Sequence, residues 1–177
     1  MEKAKPNLKN LIKNILNYFL VYIPVEYLYS CYEYIRIQRL KSNIKHIGEN
    51  CMISHNFFVM SPDKLVIKDN VSFGRGVRIM GAGDVMIGED TMIANGVTIL
   101  TTTHDSRAEK MKGTGMHKAV TIGQDCWIGA NATILPGVTI YDNSIVGAGA
   151  VVVKDVMDCE VVVSPYAKVV RKRKRHS

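Results

Sequence analysis

Two histidines, His104 and His117, fall within one polar stretch that reads TTTHDSRAEKMKGTGMHK. An imidazole can take a proton from an attacking hydroxyl at neutral pH, because an ordinary histidine titrates near the working range. Asp105, beside His104, could orient that ring or hold a substrate group. Taken alone, a loop histidine is an ordinary surface residue, so its surroundings decide what it does. Cys126 is a competing nucleophile and would imply a two-step route through a covalent intermediate. Zinc chemistry would need three ligands and an open position. His104 and His117 share one stretch, however, and His55 stands far away along the chain. His46 and His176 have no evident role.

The elements that must position these groups are written in a period of six. Ile122, Ile128, Ile134, Ile140, Val146 and Val152 follow one another at every sixth position. A helix repeats every 3.6 residues and a simple strand every two. A sustained period of six marks a chain coiling as a β-solenoid, one hexad per flat face. The same spacing links Ile47, Ile53, Val59 and Leu65, slips by two, and resumes at Ile67, Phe73, Ile79 and Val85. It slips by two again for Ile87, Ile93 and Ile99. Each slip predicts one bulged corner in a three-faced coil.

The position four after the aliphatic is usually small or β-branched: Val97, Cys126, Ala132, Val138, Ser144, Ala150. These should point inward, which places Cys126, and likewise Cys51, in the core as inert thiols. Trp127, the only tryptophan, precedes an inward Ile128 and should face out toward a cleft. The break at about 100–119 is too long for a corner. Such stretches inside a compact repeat are functional or disordered.

Outside the solenoid, Leu8, Leu11, Ile12, Ile15, Leu16, Phe19, Leu20 and Ile23 recur at helical spacing. Pro24 should end that helix or start the next, and Glu26 to about Lys41 forms a second, tyrosine-rich helical candidate. Three segments follow: an amphipathic helical one at 1–43, the β-helix at 44–163, and a C-terminal segment with a basic tail at 164–177. The apolar stripe has two readings. It covers an end of the solenoid, where strand edges would otherwise be bare, or it lies in a membrane interface. The charge-free run in this segment, Asn14 to Val25, is too short to span a bilayer. Net charge is +7, with five basic side chains among the last seven residues and four lysines (Lys3, Lys5, Lys9, Lys13) near the start. That balance suits anionic surfaces or phosphorylated small molecules. Nucleic acid is not expected, since no aromatic platform or recognition motif accompanies the run from Arg171 to Arg175. Four scattered cysteines without a C-x-x-C suggest reduced thiols and a cytoplasmic setting, with the inner face of the membrane as the extended reading.

The repeat [LIV]-[GA]-x-x-[small]-x, with WIGANATILPGVTI and VGAGAVVVKDV, resembles the hexapeptide-repeat acyltransferases. The likeness covers about Ile44 to Arg171 and points toward the galactoside, maltose, xenobiotic and polysaccharide O-acetyltransferases. It implies an all-β fold, a left-handed parallel β-helix, assembled as a homotrimer with sites between adjacent prisms. It implies acetyl-CoA as co-substrate, no metal, and direct transfer of acetyl to a hydroxyl of a sugar or cell-surface glycan precursor. His104 occupies the family's position for the general base. Trp127 would line the site, with Asp105 and His117 toward the acceptor. Ala130 and Ala148 would meet the pantetheine arm, followed by Val153 and Lys154. Lys168 and Arg171 would meet the CoA phosphates. N-acetylation of an amino sugar, a non-catalytic scaffold and a γ-class carbonic anhydrase-like zinc enzyme are the alternatives. Two departures stand out. The usual G-x-P-A-K closing motif appears as Ser164-Pro165-Tyr166-Ala167-Lys168, and an acceptor-side asparagine of galactoside-type relatives falls at Gly74.

Overall fold

The structure, a computed structural model, describes residues 24–165 together with Lys9 and Lys13. It divides between Leu40 and Lys41 into a helical unit and a β unit. In the first, α1 (Val25–Lys41) begins directly after Pro24, whose carbonyl accepts hydrogen bonds from the Tyr27 and Leu28 N–H groups. A proline's fixed φ suits a helix start. Within α1, Arg36 pairs with both carboxylate oxygens of the buried Glu33 at 2.9 Å. The stripe from Leu8 to Ile23 lies outside the described residues, apart from Lys9 and Lys13. No helix among the described residues is long and apolar enough to cross a membrane.

The β unit is a stack of three-strand coils. The first holds β1 (His46–Ile47), β2 (Met52–Ile53) and β3 (Phe58–Val59); the second β4 (Leu65–Ile67), β5 (Ser72–Phe73) and β6 (Arg78–Met80). The third holds β7 (Val85–Ile87), β8 (Met92–Ile93) and β9 (Thr98–Leu100), and is followed by an excursion, β10 (Thr102–His104) and β11 (Gly115–His117). The fourth holds β12 (Val120–Ile122), β13 (Trp127–Ile128) and β14 (Thr133–Ile134). The fifth holds β15 (Thr139–Ile140), β16 (Ile145–Val146) and β17 (Val151–Val152), and β18 (Val161–Val162) lies in an incomplete sixth. Strands of two or three residues cannot stand alone. They persist because each pairs in parallel with the neighbouring coil or coils, giving sheets of 5, 6 and 5 strands.

The six-residue period is the core. Ile67, Ile87, Ile122 and Ile140 stack in register on the first face and are fully buried. Ile93 with Ile128 and Ile99 with Ile134 do the same on the other two faces. Each such side chain contributes about 1.5–3 kcal/mol by leaving water. The small positions fill the remaining space: Val97, Cys126, Ala132, Val138, Ser144 and Ala150 are all buried. Cys51 departs from this pattern. It lies in the first coil, with a neighbouring coil on one side only, and is half-buried, its thiol donating to the Lys68 carbonyl. Buried hydroxyls bridge coils: Thr91 Oγ1 donates to the Gly123 carbonyl at 2.8 Å and accepts from the Cys126 N–H at 3.1 Å.

Two of the three corners never change length. Between first and second faces a ladder of left-handed residues turns the chain: Asn50, Asn70, Asp90, Asp125 and Asn143, with φ between 49° and 60°. Asparagine and aspartate accept this conformation more readily than other side-chain-bearing residues. Their side chains also bond along the stack, Asn50 to Asn70 at 3.3 Å and Asn70 to Asp90 at 3.0 Å. All extra length is inserted at the third corner, between third and first faces. There the first two coils carry short detours, one a 3₁₀ turn (Pro62–Lys64) and one at Gly81–Asp84. The third coil carries the whole excursion at the same corner. The two slips of the period are therefore short versions of the long break.

Candidate active site

The long break is an antiparallel hairpin. Thr102 faces His117, Thr103 faces Met116 and His104 faces Gly115. Alternation along a strand puts Thr102, His104 and His117 on one side of the ribbon. The polar sequence conceals this pairing, because neither strand has an apolar face to bury.

The hairpin is rooted in the corner of the preceding coil. Thr101 Oγ1 accepts from the Gly83 N–H at 3.0 Å, and Thr102 Oγ1 from the Ala82 N–H at 3.3 Å. Gly81, at φ +114°, lies so close that an added Cβ would stand 2.5 Å from both threonine hydroxyls. Only a residue without a side chain fits beside this root.

His104, the last residue of β10, is exposed. Its Nδ1 lies 3.4 Å from Thr114 Oγ1, while the Thr114 hydroxyl donates to the Met111 carbonyl at 2.7 Å. With the hydroxyl proton committed to Met111, the oxygen acts as acceptor toward the ring. In a neutral ring this contact places the proton on Nδ1 and leaves the Nε2 lone pair for chemistry. His117 is tethered in a comparable way, Nδ1 to Thr102 Oγ1 at 2.9 Å. Asp105 does not contact the ring in this arrangement. Its Oδ1 accepts from the Arg107 N–H at 2.9 Å and so shapes the turn after β10. A polar depression of about 470 Å³ is lined by Thr103, His104, Asp105, Ser106, Arg107, Met116 and Lys118.

Two further hollows lie on the coils. Trp127 is 50% exposed on the second face, beside Met92 and Ile145, and looks outward as its register requires. With Met52, Ser72, Gly74 and Met92 it lines a hollow of about 260 Å³. Gly74 has no space for a side chain, since its Cβ would meet the Asn95 N–H nitrogen at 2.6 Å. An asparagine here would require that corner to move. The third hollow, about 410 Å³, lies beside β17 and contains Val153 and Lys154 together with Val163, Ser164 and Pro165. Ala130 and Ala148 are on the corners of the fourth and fifth coils just before it. The Gly149 N–H donates to the Ala130 carbonyl at 2.8 Å, which fixes their stacking. The Ala130 and Ala148 N–H groups carry no hydrogen bond among the described residues and could serve an amide-rich arm. Lys168 and Arg171 lie outside the described residues. Within one chain His104, Trp127 and Lys154 thus occupy three separate hollows.

Cys126 is buried, and burial pushes its thiol pKa up, so it is held as the neutral thiol. It donates to the Tyr141 carbonyl at 3.2 Å. Among the described residues no group of three or more His, Cys, Asp or Glu is placed to hold a metal ion. Thr102, Thr114, Arg107 and Lys118 were not singled out by sequence. Each threonine bonds the histidine of the opposite strand, ten or fifteen residues away, so no local signal marked them.

Stacked six-residue coils interrupted by a histidine-bearing hairpin define a hexapeptide-repeat β-helix of the left-handed kind. Residues 119–154 match the family described as hexapeptide repeat of succinyl-transferase. The galactoside O-acetyltransferase of Lactococcus lactis subsp. lactis (strain IL1403) is 34% identical over 144 residues, covering 77% of this chain and 67% of that protein. The crystal structure of a hexapeptide-repeat acetyltransferase from Vibrio cholerae O1 biovar eltor, complexed with acetyl coenzyme A, superposes with a TM-score of 0.69 at 25% identity. That match covers 81% of this chain and 79% of the other. A galactoside acetyltransferase in complex with coenzyme A gives 0.68 at 27% identity, covering 97% and 85%. The chain spans about two thirds of the length of the curated relatives it matches. It belongs to the hexapeptide-repeat acetyltransferases.

Proposed function

We propose that this protein transfers acetyl from acetyl-CoA to a hydroxyl of a sugar or glycan precursor, with His104 as general base. The observation that carries the reading is the exposed His104, held on the hairpin with its Nδ1 beside the Thr114 hydroxyl. The acceptor hydroxyl oxygen attacks the thioester carbonyl carbon as Nε2 removes its proton. The tetrahedral adduct collapses, the carbon–sulfur bond breaks, and the proton passes from the imidazolium to the departing thiolate. No covalent enzyme intermediate is needed, and the buried Cys126 thiol suits none. General-base assistance of this kind is worth roughly 10²–10⁴ in rate.

The open N–H groups of Ala130 and Ala148 and the apolar hollow at Val153 and Lys154 fit a pantetheine arm and its diphosphate. Lys168 and Arg171 complete this track in the proposal. Three separate hollows in one chain make one site only if copies associate, so a homotrimer is part of the reading. The exposed Met52, Met92, Trp127 and Val161 on the second face supply apolar surface for contact. Peripheral membrane contact through the N-terminal segment is proposed on its sequence alone. The galactoside relatives motivate the sugar acceptor.

The test is thiol release from acetyl-CoA across a panel of sugars, with the acetylated product identified by mass. Turnover that requires a sugar hydroxyl supports the reading. Acetyl-CoA left unbound and unconsumed with every sugar contradicts it, and acetyl found on an amine moves it to N-acetylation.

A further inference from the structure

Arg107 and Lys118 are the basic side chains that line the His104 depression. Neither forms an ion pair among the described residues. Asp105 lines the same depression, and its Oδ1 is engaged by Arg107's own backbone N–H rather than by its guanidinium. An anion entering this depression would meet two cationic side chains that no ion pair among the described residues neutralises. Lys118 is exposed, and its stem runs over Gly137 of the following coil, where an added Cβ would stand 3.1 Å from Lys118 Cδ. The missing side chain at that corner seats the lysine. The Lys118 N–H also donates to the Thr101 carbonyl at 2.9 Å, tying its backbone to the hairpin root.

We infer that Arg107 and Lys118 recognise an anionic group on the acceptor, a phosphate or a carboxylate carried by the sugar that His104 activates. The inference rests on the acetyl-transfer reading above and names its substrate class. A guanidinium supplies paired planar donors and an ammonium a point charge, the combination that suits a tetrahedral or planar oxyanion.

The experiment compares galactose, galactose 1-phosphate and galacturonate as acceptors for wild type and for the Arg107→Gln/Lys118→Gln double variant. Binding of galactose 1-phosphate is followed by calorimetry on the same preparations, and thermal melting confirms that the variant is folded. Wild type is expected to favour an anionic acceptor over galactose by about tenfold or more in kcat/KM. The double variant should lose that preference through acceptor KM, with the KM for acetyl-CoA unchanged. Preference for the phosphate or for the carboxylate identifies which group is read. Equal kcat/KM for all three acceptors would overturn the inference. So would a double variant that raises the KM for acetyl-CoA instead, because the cations would then serve the donor's phosphates. Binding of galactose 1-phosphate that the double variant abolishes, without transfer to any acceptor, would support the anion site and contradict the acetyl-transfer reading.

Discussion

The coils from Ile122 to Val152 and the hairpin from Thr102 to His117 are neighbours in sequence and opposites in construction. In the coils every sixth side chain is buried, with Ile122, Ile128, Ile134 and Ile140 at 0% exposure. In the hairpin every residue is exposed or half-buried. The coils are held by stacked aliphatics and parallel ladders. The hairpin is held by a few threonine hydroxyls at its root and beside its histidines. Stability and chemistry have been given to different parts of one chain. Two corners of the prism stay constant, and the third is free to lengthen without disturbing the stack.

The contrast predicts that the same kind of truncation has different consequences in the two regions. Ile134→Ala, in the stack, should cost about 2–5 kcal/mol of unfolding free energy. Met116→Ala, in the hairpin, should stay within about 0.5 kcal/mol. Denaturant melts of the two variants check this, and equal losses would break the division between scaffold and appendage. The root should behave as scaffold. Gly81→Val places a Cβ against the Thr101 and Thr102 hydroxyls at an unfavourable φ, at a cost of about 1–3 kcal/mol. It should also lower kcat by displacing the hairpin. A variant with wild-type melting and turnover would show that the root is not clamped.

A smaller effect tests how His104 is held. Thr114→Ala removes the acceptor for Nδ1, and should lower kcat by about tenfold or less while acetyl-CoA KM stays constant. Thr114→Ser should restore most of the rate, and no rescue by serine would argue against the hydroxyl. The smallest effect concerns Cys126. Burial raises its pKa, so at pH 8 less of it is thiolate than for an ordinary cysteine. Iodoacetamide should label the exposed Cys31 first and leave acetyl transfer unaffected. Activity lost in step with Cys126 labelling would instead support a covalent route.

How much of this was legible beforehand follows the same division. The core was readable because burial imposes a period, and Ile122 to Val152 obey it without a slip. Trp127 was placed outward by that register alone. Cys51 escapes the inward pattern because a terminal coil has a partner on only one side, which no local pattern records. The hairpin was visible only as a gap. Its strands pair through backbone and threonine contacts, and the pairing of Thr102 with His117 across the ribbon leaves no hydrophobic trace in sequence. Adjacency suggested that Asp105 serves His104. In the fold its carboxylate shapes a turn, and Thr114, ten residues away, holds the ring.

The central claim is that the coils hold the donor while the hairpin histidine performs the transfer. It is tested most directly by measuring CoA affinity and the single-turnover acetyl-transfer rate on one preparation of His104→Ala. The predicted result is unchanged CoA affinity and melting temperature, with a rate lower by roughly 10²–10⁴. A wild-type rate, or affinity that falls in step with the rate, would contradict it.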